Sequence, residues 1–158
     1  SLAVSSGLRG QVVSFHDGSD VTVSLFADGS AEPKYTVAVP AGEKSGGKYT
    51  AVYDIPGIAS GTYTMRVMKK NHVTREYTIT VGGEAVTQNV KIHLKGDIDG
   101  NGTVTTMDVI RANSHARGVN LLTDYALKCA DVVGTDGTVT TMDVIRINAH
   151  AKGASKLW

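Results

Sequence analysis

Between Asp97 and Asp108, oxygen-bearing residues recur at alternate places: Asp97, Asp99, Asn101, Thr103, Thr105 and then Asp108. A tight loop turns every second side chain inward, so this spacing gathers oxygens around one point. That is the donor set of a hard cation such as calcium, which takes about six to eight oxygens at roughly 2.3–2.6 Å. Asp97, Asp99 and Asn101 would supply side-chain oxygens, Thr103 its carbonyl, Thr105 a water-mediated contact, and Asp108 a carboxylate from the first turn of a following helix. Gly102 permits the sharp turn that a Cβ would obstruct. Val104 should face away from the ion and pack against a counterpart. A solvated acidic turn would need neither residue at its place, and magnesium prefers a more rigid octahedral shell.

A counterpart follows 35 residues later, Asp143 matching Asp108 and Val139 matching Val104. This second loop, from Asp131 to Asp143, is one residue longer and has no side-chain ligand at its third place. It keeps three carboxylates, Asp131, Asp136 and Asp143, with Thr138 and Thr140 repeating Thr103 and Thr105. We expect the extra residue to bulge near Val133 and Gly134, so that the Val133 carbonyl or a water replaces the missing ligand. Two calcium ions are therefore expected.

The elements that must position these loops change character along the chain. "TMDVIRANSHARG" and "TMDVIRINAHAKG" have the period of helices ended by Gly118 and Gly153, with Arg117 and Lys152 placed favourably for the helix dipole. Between them "LLTDYALKCAD" reads as a short helix that Thr123 could cap, carrying Tyr125, Ala126, Leu127 and Cys129. The stretch ahead of the first loop, "TQNVKIHL", alternates like a strand, so neither loop is expected to have the entering helix of a complete EF-hand. Before it, "GQVVSF", "VTVSLFA", "KYTVAV", "KYTAVYDI", "TYTMRVM" and "TREYTITV" are further short β-branched and aromatic runs divided by turn residues. The expected fold is two domains: residues 1–94, an all-β sandwich of immunoglobulin or prealbumin type, and residues 95–158, all helix and loop.

Helical spacing turns Val109, Ala112 and Ala116 inward, with Val144, Ile147 and Ala151 in the second copy. It leaves outward a stripe of Thr106, Met107, Ile110, Asn113, Ser114 and Arg117, matched by Thr141, Met142, Ile145, Asn148, Ala149 and Lys152. A Met and an Ile rimmed by polar groups and written twice point to partner contacts. His115 and His150 occupy equivalent places, readable as a pH-responsive pair or as a plain polar flank. Leu157 and Trp158 read either as a clasp folding back beside Leu94 or as a simple chain end.

Two loop-plus-exit-helix repeats of this kind, over about Gly96 to Lys156, resemble a dockerin. The resemblance implies a calcium-dependent module that binds a cohesin on a scaffoldin or surface-anchoring protein, in extracellular, cellulosome-type assemblies that degrade polysaccharide. The β-rich part resembles the X-module or carboxypeptidase-regulatory-like sandwich often found ahead of a dockerin. The outward stripes correspond to the positions through which dockerins contact cohesin. Family members often carry Ser-Thr and Lys-Arg pairs there; Thr-Met and Asn-Ser or Asn-Ala stand here instead.

Composition narrows the alternatives. Lys and Arg number 16 against 15 Asp and Glu, a formal charge of +1, which gives neither nucleic acid nor an anionic membrane a field to bind. The single cysteine, Cys129, excludes an internal disulfide or a paired-thiol zinc site and reads as a small packed hydrophobe. No apolar run approaches the roughly 20 residues of a membrane span. Starting at Ser1 without a leader, the sequence reads as a piece of something longer. His16, Asp17 and Asp20 share one turn and read as turn chemistry, while Tyr35, Tyr49, Tyr53, Tyr63 and Tyr77 read first as strand formers and second as a sugar-binding face. With no nucleophile–base pair in the β-rich part, the chain is expected to be non-catalytic, although its parent could include a glycoside hydrolase. A calcium sensor and a carbohydrate-binding β domain stand as alternatives.

Overall fold

The computed structural model describes residues 6–158, so the first five residues of the 1–94 stretch lie outside the described residues. The chain forms two compact units, one comprising residues up to Lys70 with Thr74–Ile92, the other Asn71–Val73 with His93–Trp158.

The first unit contains β1 (Ser6–Ser14), β2 (Val21–Ala27), β3 (Tyr35–Val39), β4 (Lys44–Ser45), β5 (Lys48–Ile58), β6 (Gly61–Met68), β7 (Arg75–Val81), β8 (Val86–Thr87) and β9 (Val90–Lys91). Strand alternation divides them into buried and open faces: Tyr63, Met65 and Val67 of β6 are buried, and Thr62 and Thr64 are exposed. One sheet runs β4-β5-β1-β8, with β9 also on β1, and the other β3-β2-β6-β7. Leu8 and Val12, Val23 and Leu25, Tyr53 and Ile55, and Met65 and Val67 bring both sheets into one core. Pairing is antiparallel except where β8 and β9 lie parallel to β1. The run expected as one strand, "TQNVKIHL", is broken at Gln88 and Asn89. There the chain crosses Gly10 so closely that a Cβ would sit 2.2 Å from the Gln88 carbonyl oxygen.

Of the five tyrosines, Tyr53 and Tyr63 lie in the core and Tyr35, Tyr49 and Tyr77 are half-buried. In the His16–Asp20 turn the Ser19 amide and hydroxyl both donate to Asp17 Oδ1, which with neighbouring charges brings the Asp17 carboxyl down to about 2. The buried Lys69 ammonium donates to Ser14 Oγ and to the carbonyls of Phe15 and Asp17, tying the same turn.

The second unit contains α1 (Thr106–Ala116), α2 (Asp124–Ala130) and α3 (Thr141–Ala151). Its core gathers Ile98, Val104, Ala112, Cys129, Ala130, Val139 and Ile147. Cys129 is fully buried and in no disulfide. Val104 and Val139, equivalent residues of the two loops, both belong to this cluster.

The expected architecture, a sandwich domain followed by an all-α domain, is corrected by this fold. The chain is mostly β-sheet with three short helices of 11, 7 and 11 residues. The second unit is neither contiguous nor all-helical, because it draws in Asn71–Val73 from the β6–β7 connection. His72 forms an antiparallel bridge with Leu94, the Val73 amide donates to the His93 carbonyl at 2.8 Å, and the Lys95 amide donates to the Asn71 carbonyl at 3.1 Å. The physical reason is backbone satisfaction: past β9 the chain groups from His93 to Lys95 need partners, and Asn71–Val73 supply them. A second difference concerns the loops. Helix α2 ends with Asp131 as its C-cap, so the second loop does have an entering helix. Thr123 stands at its N-cap without a side-chain capping bond.

Candidate metal centre

In the first loop Asp97 and Asp108 are fully buried, and ligand oxygens of these two and of Asp99 lie within 4.8 Å of one another. Asp97 accepts from the Gly100 amide at 3.1 Å and the Gly102 amide at 2.7 Å. Asp99 Oδ1 accepts from the Asn101 amide, and Asn101 Oδ1 from the Thr103 amide, at 3.1 and 3.0 Å. Asp108 closes the ring from α1, taking the Ile98 and Asp99 amides on Oδ1 at 2.7 and 3.2 Å and the Thr105 amide on Oδ2 at 2.8 Å. One carboxylate thus ties the loop entrance to the helix N-terminus.

The electrostatics of this arrangement are unbalanced. Burial, followed by the neighbouring Asp99 and Asp108 carboxyls and opposed in part by the Gly102 amide, pushes the Asp97 carboxyl up to about 7. Burial also raises Asp108. The ion pairs His16–Asp17 and Arg66–Glu76 both lie outside the loops.

The second loop repeats the frame. The Val132 and Val133 amides donate to Asp143 Oδ1 at 2.9 and 2.8 Å, and the Thr140 amide to Oδ2 at 2.8 Å. The Gly137 amide donates to Asp131 Oδ2 at 2.7 Å and the Thr138 amide to Asp136 Oδ1 at 3.0 Å. These bonds set the register: Val132 stands for Ile98 and Val133 for Asp99. Gly134, at φ +75°, stands for Gly100, at φ +73°, which leaves Thr135, in the left-handed region at φ +44°, as the extra residue. Asp131 Oδ1 is buried without a hydrogen-bond partner, and burial raises this carboxyl too. A buried, unpartnered carboxylate oxygen and a knot of uncompensated carboxyls are features that a cation of the calcium type fits.

The outward stripes are open in both copies. Met107 and Met142 are 57% and 56% exposed, and Ile110 and Ile145 are each 51% exposed. Thr106, Asn113, Arg117, Thr141 and Lys152 are exposed; Ser114, Asn148 and Ala149 are half-buried. Inward, Ala112 and Ile147 are buried, with Val109, Val144 and Ala151 half-buried and packed against their cluster; Ala116 is half-buried.

Sequence reasoning missed a role for the two histidines. His115 Nδ1 accepts from the Leu122 amide and His150 Nδ1 from the Leu157 amide, both at 2.8 Å. Each imidazole therefore latches the chain seven residues beyond it, after the Gly118 or Gly153 turn. The signal available was the shared spacing from His to Leu in both copies. In the second copy the latch carries a clasp: the Trp158 ring lies 4.7 Å from His150, and its Nε1 donates to the Lys95 carbonyl at 3.2 Å.

No protein-family model and no curated protein matches the chain. Two solved structures resemble it at 16% identity, each over 92% of this chain and 94% of the other. Both are type II cohesin–X–dockerin complexes from Acetivibrio cellulolyticus, an N-terminal interface mutant at TM-score 0.35 and a C-terminal interface mutant at 0.34. TM-scores this low do not equate the folds. No helix of the described residues is long and apolar enough to cross a membrane.

Proposed function

We propose that this chain is a calcium-dependent, non-catalytic protein-interaction module of dockerin type. It binds a cohesin and tethers the protein that carries it to an extracellular polysaccharide-degrading assembly, with the β-rich unit as an X-module-like spacer. The observation that carries this reading is the duplicated face. Two helices preceded by cation loops expose the same Met and Ile to nearly the same degree, where a lone surface Ile would need no explanation.

Asp97, Asp99, Asn101, Thr103, Thr105 and Asp108 would hold one ion, and Asp131, the Val133 carbonyl or a water, Asp136, Thr138, Thr140 and Asp143 the other. Bound calcium supplies positive charge that offsets the clustered carboxylates. The chain's own residues do the rest. Asp108 and Asp143 tether each loop to the first turn of its helix, and that tether fixes where Met107, Ile110, Met142 and Ile145 stand. Burying one such Ile at a partner contributes roughly 1.5–3 kcal/mol, so a few of these contacts set the affinity.

The test is capture by a panel of immobilised cohesins in calcium chloride or in excess chelator. Capture in calcium that is lost in chelator is expected. Capture that survives chelator, or no capture by any cohesin, would overturn the reading.

A further inference from the structure

The residue just ahead of the first loop has no counterpart ahead of the second. His93 is buried, and its Nδ1 lies 3.0 Å from the Asp97 carbonyl oxygen; a carbonyl only accepts, so Nδ1 carries the proton. The ring is fixed from several sides. The Tyr125 ring meets it edge-on at 4.9 Å, the His93 amide donates to Tyr125 Oη at 3.0 Å, Tyr125 Oη donates to the Val73 carbonyl, and Cys129 Sγ lies 3.5 Å from Nδ1. The far edge of the imidazole fills the space over Gly100, where an added Cβ would lie 2.3 Å from Nε2. At the matching place in the second loop an added Cβ on Gly134 meets nothing within 4 Å. The residue four before Asp131, as His93 is four before Asp97, is Leu127, which has no side-chain donor.

We propose that His93 is a positioning residue for the first loop, holding Asp97 and Gly100 in place before metal arrives, so that the first loop fills at lower calcium than the second. This rests on the calcium reading above. Both loops carry three carboxylates, but the first adds the Asn101 side chain, so the order of filling does not by itself isolate His93 and the variants below do. Groups that orient ligands from behind typically change metal affinity by about 10- to 100-fold.

The experiment follows the Gly102 and Gly137 amide resonances of the full chain during a calcium titration, so that each loop reports separately. Gly102 should respond first. In His93→Ala its midpoint should rise at least about tenfold while that of Gly137 stays within about twofold. Because a buried ring is being removed, a second pair guards against simple unfolding. Gly100→Ala and Gly134→Ala strain backbones of nearly equal φ, but only the first collides with the imidazole. Gly100→Ala should weaken its loop more than Gly134→Ala weakens the other, and the excess should vanish when His93→Ala is added. An unchanged Gly102 midpoint in His93→Ala, equal shifts of both amides, or an excess that persists in the double variant would overturn the assignment. If neither amide responds to calcium in the parent chain, it is the calcium reading that fails, and the inference falls with it.

Discussion

The two loops share a frame and differ in their filling. Asp108 and Asp143 each collect three backbone amides in the same way, yet Asp97 has both oxygens satisfied while Asp131 keeps one buried oxygen without a partner. The difference comes from a single residue, Thr135, inserted after the tethered segment and before Gly137. A loop of this kind is therefore specified by two separable parts: a carboxylate that fastens it to its helix, and a run of amides that must face the first aspartate. The first part tolerates an insertion and the second does not.

Removing metal should have the largest effect. One ion at a hundred times its Kd stabilises the folded form by about 2.7 kcal/mol, so two filled loops give a large calcium-dependent rise in melting temperature. Thermal melts with calcium and with chelator check this, and coincident melts would show that the loops hold no ion. Next come the tethers. In chelator, Asp108→Ala and Asp143→Ala should each cost about 2–4 kcal/mol, because each leaves three amides without their charged acceptor. Urea denaturation measures both, and a clear inequality would break the equivalence of the two frames.

Smaller again is the effect on the outward faces. If either helix can present its face to a partner, Ile110→Ala or Ile145→Ala alone should change affinity by no more than about twofold, and the double substitution by about tenfold or more. Calorimetric titration against a captured cohesin decides it; a large loss from one substitution alone would indicate a single orientation. The smallest effect concerns pH. Burial lowers the His150 pKa, so below the ordinary histidine value the unfolded chain takes the proton first. Stability from the clasp is complete above about 6.5 and is lost as pH falls toward the folded pKa, because a protonated Nδ1 cannot accept from Leu157. Trp158 emission should shift toward that of exposed indole over this range, and His150→Gln should remove the dependence.

What the sequence made legible was local. Alternating oxygens, a glycine two residues before the apolar Val104 or Val139 and the helical period after it are short-range patterns, and they marked out the loops and the helix faces. The three-dimensional partners were not legible. That the last strand run breaks at Gln88 and Asn89 follows from its crossing over Gly10, a contact made across most of the β-rich unit. That Asn71–Val73 joins the second unit follows from the amide needs of His93 to Lys95, which the sequence does not display. The insertion was expected near Val133 and Gly134, but only the bonds to Asp143 show that Val133 keeps its register and that Thr135 is the added residue. The all-α expectation failed for the same reason: helical period was visible, and the extended segment these helices share was not.

The histidine latches alter what counts as one repeat. The visible likeness of the copies ends at Gly118 and Gly153, yet each helix is fastened to the chain again at Leu122 or Leu157. The portion that must be carried along for a copy to stand is longer than the portion that looks copied. Anyone transplanting the second loop and helix into another protein, and cutting where the resemblance stops, would leave His150 without the Leu157 amide that it accepts from.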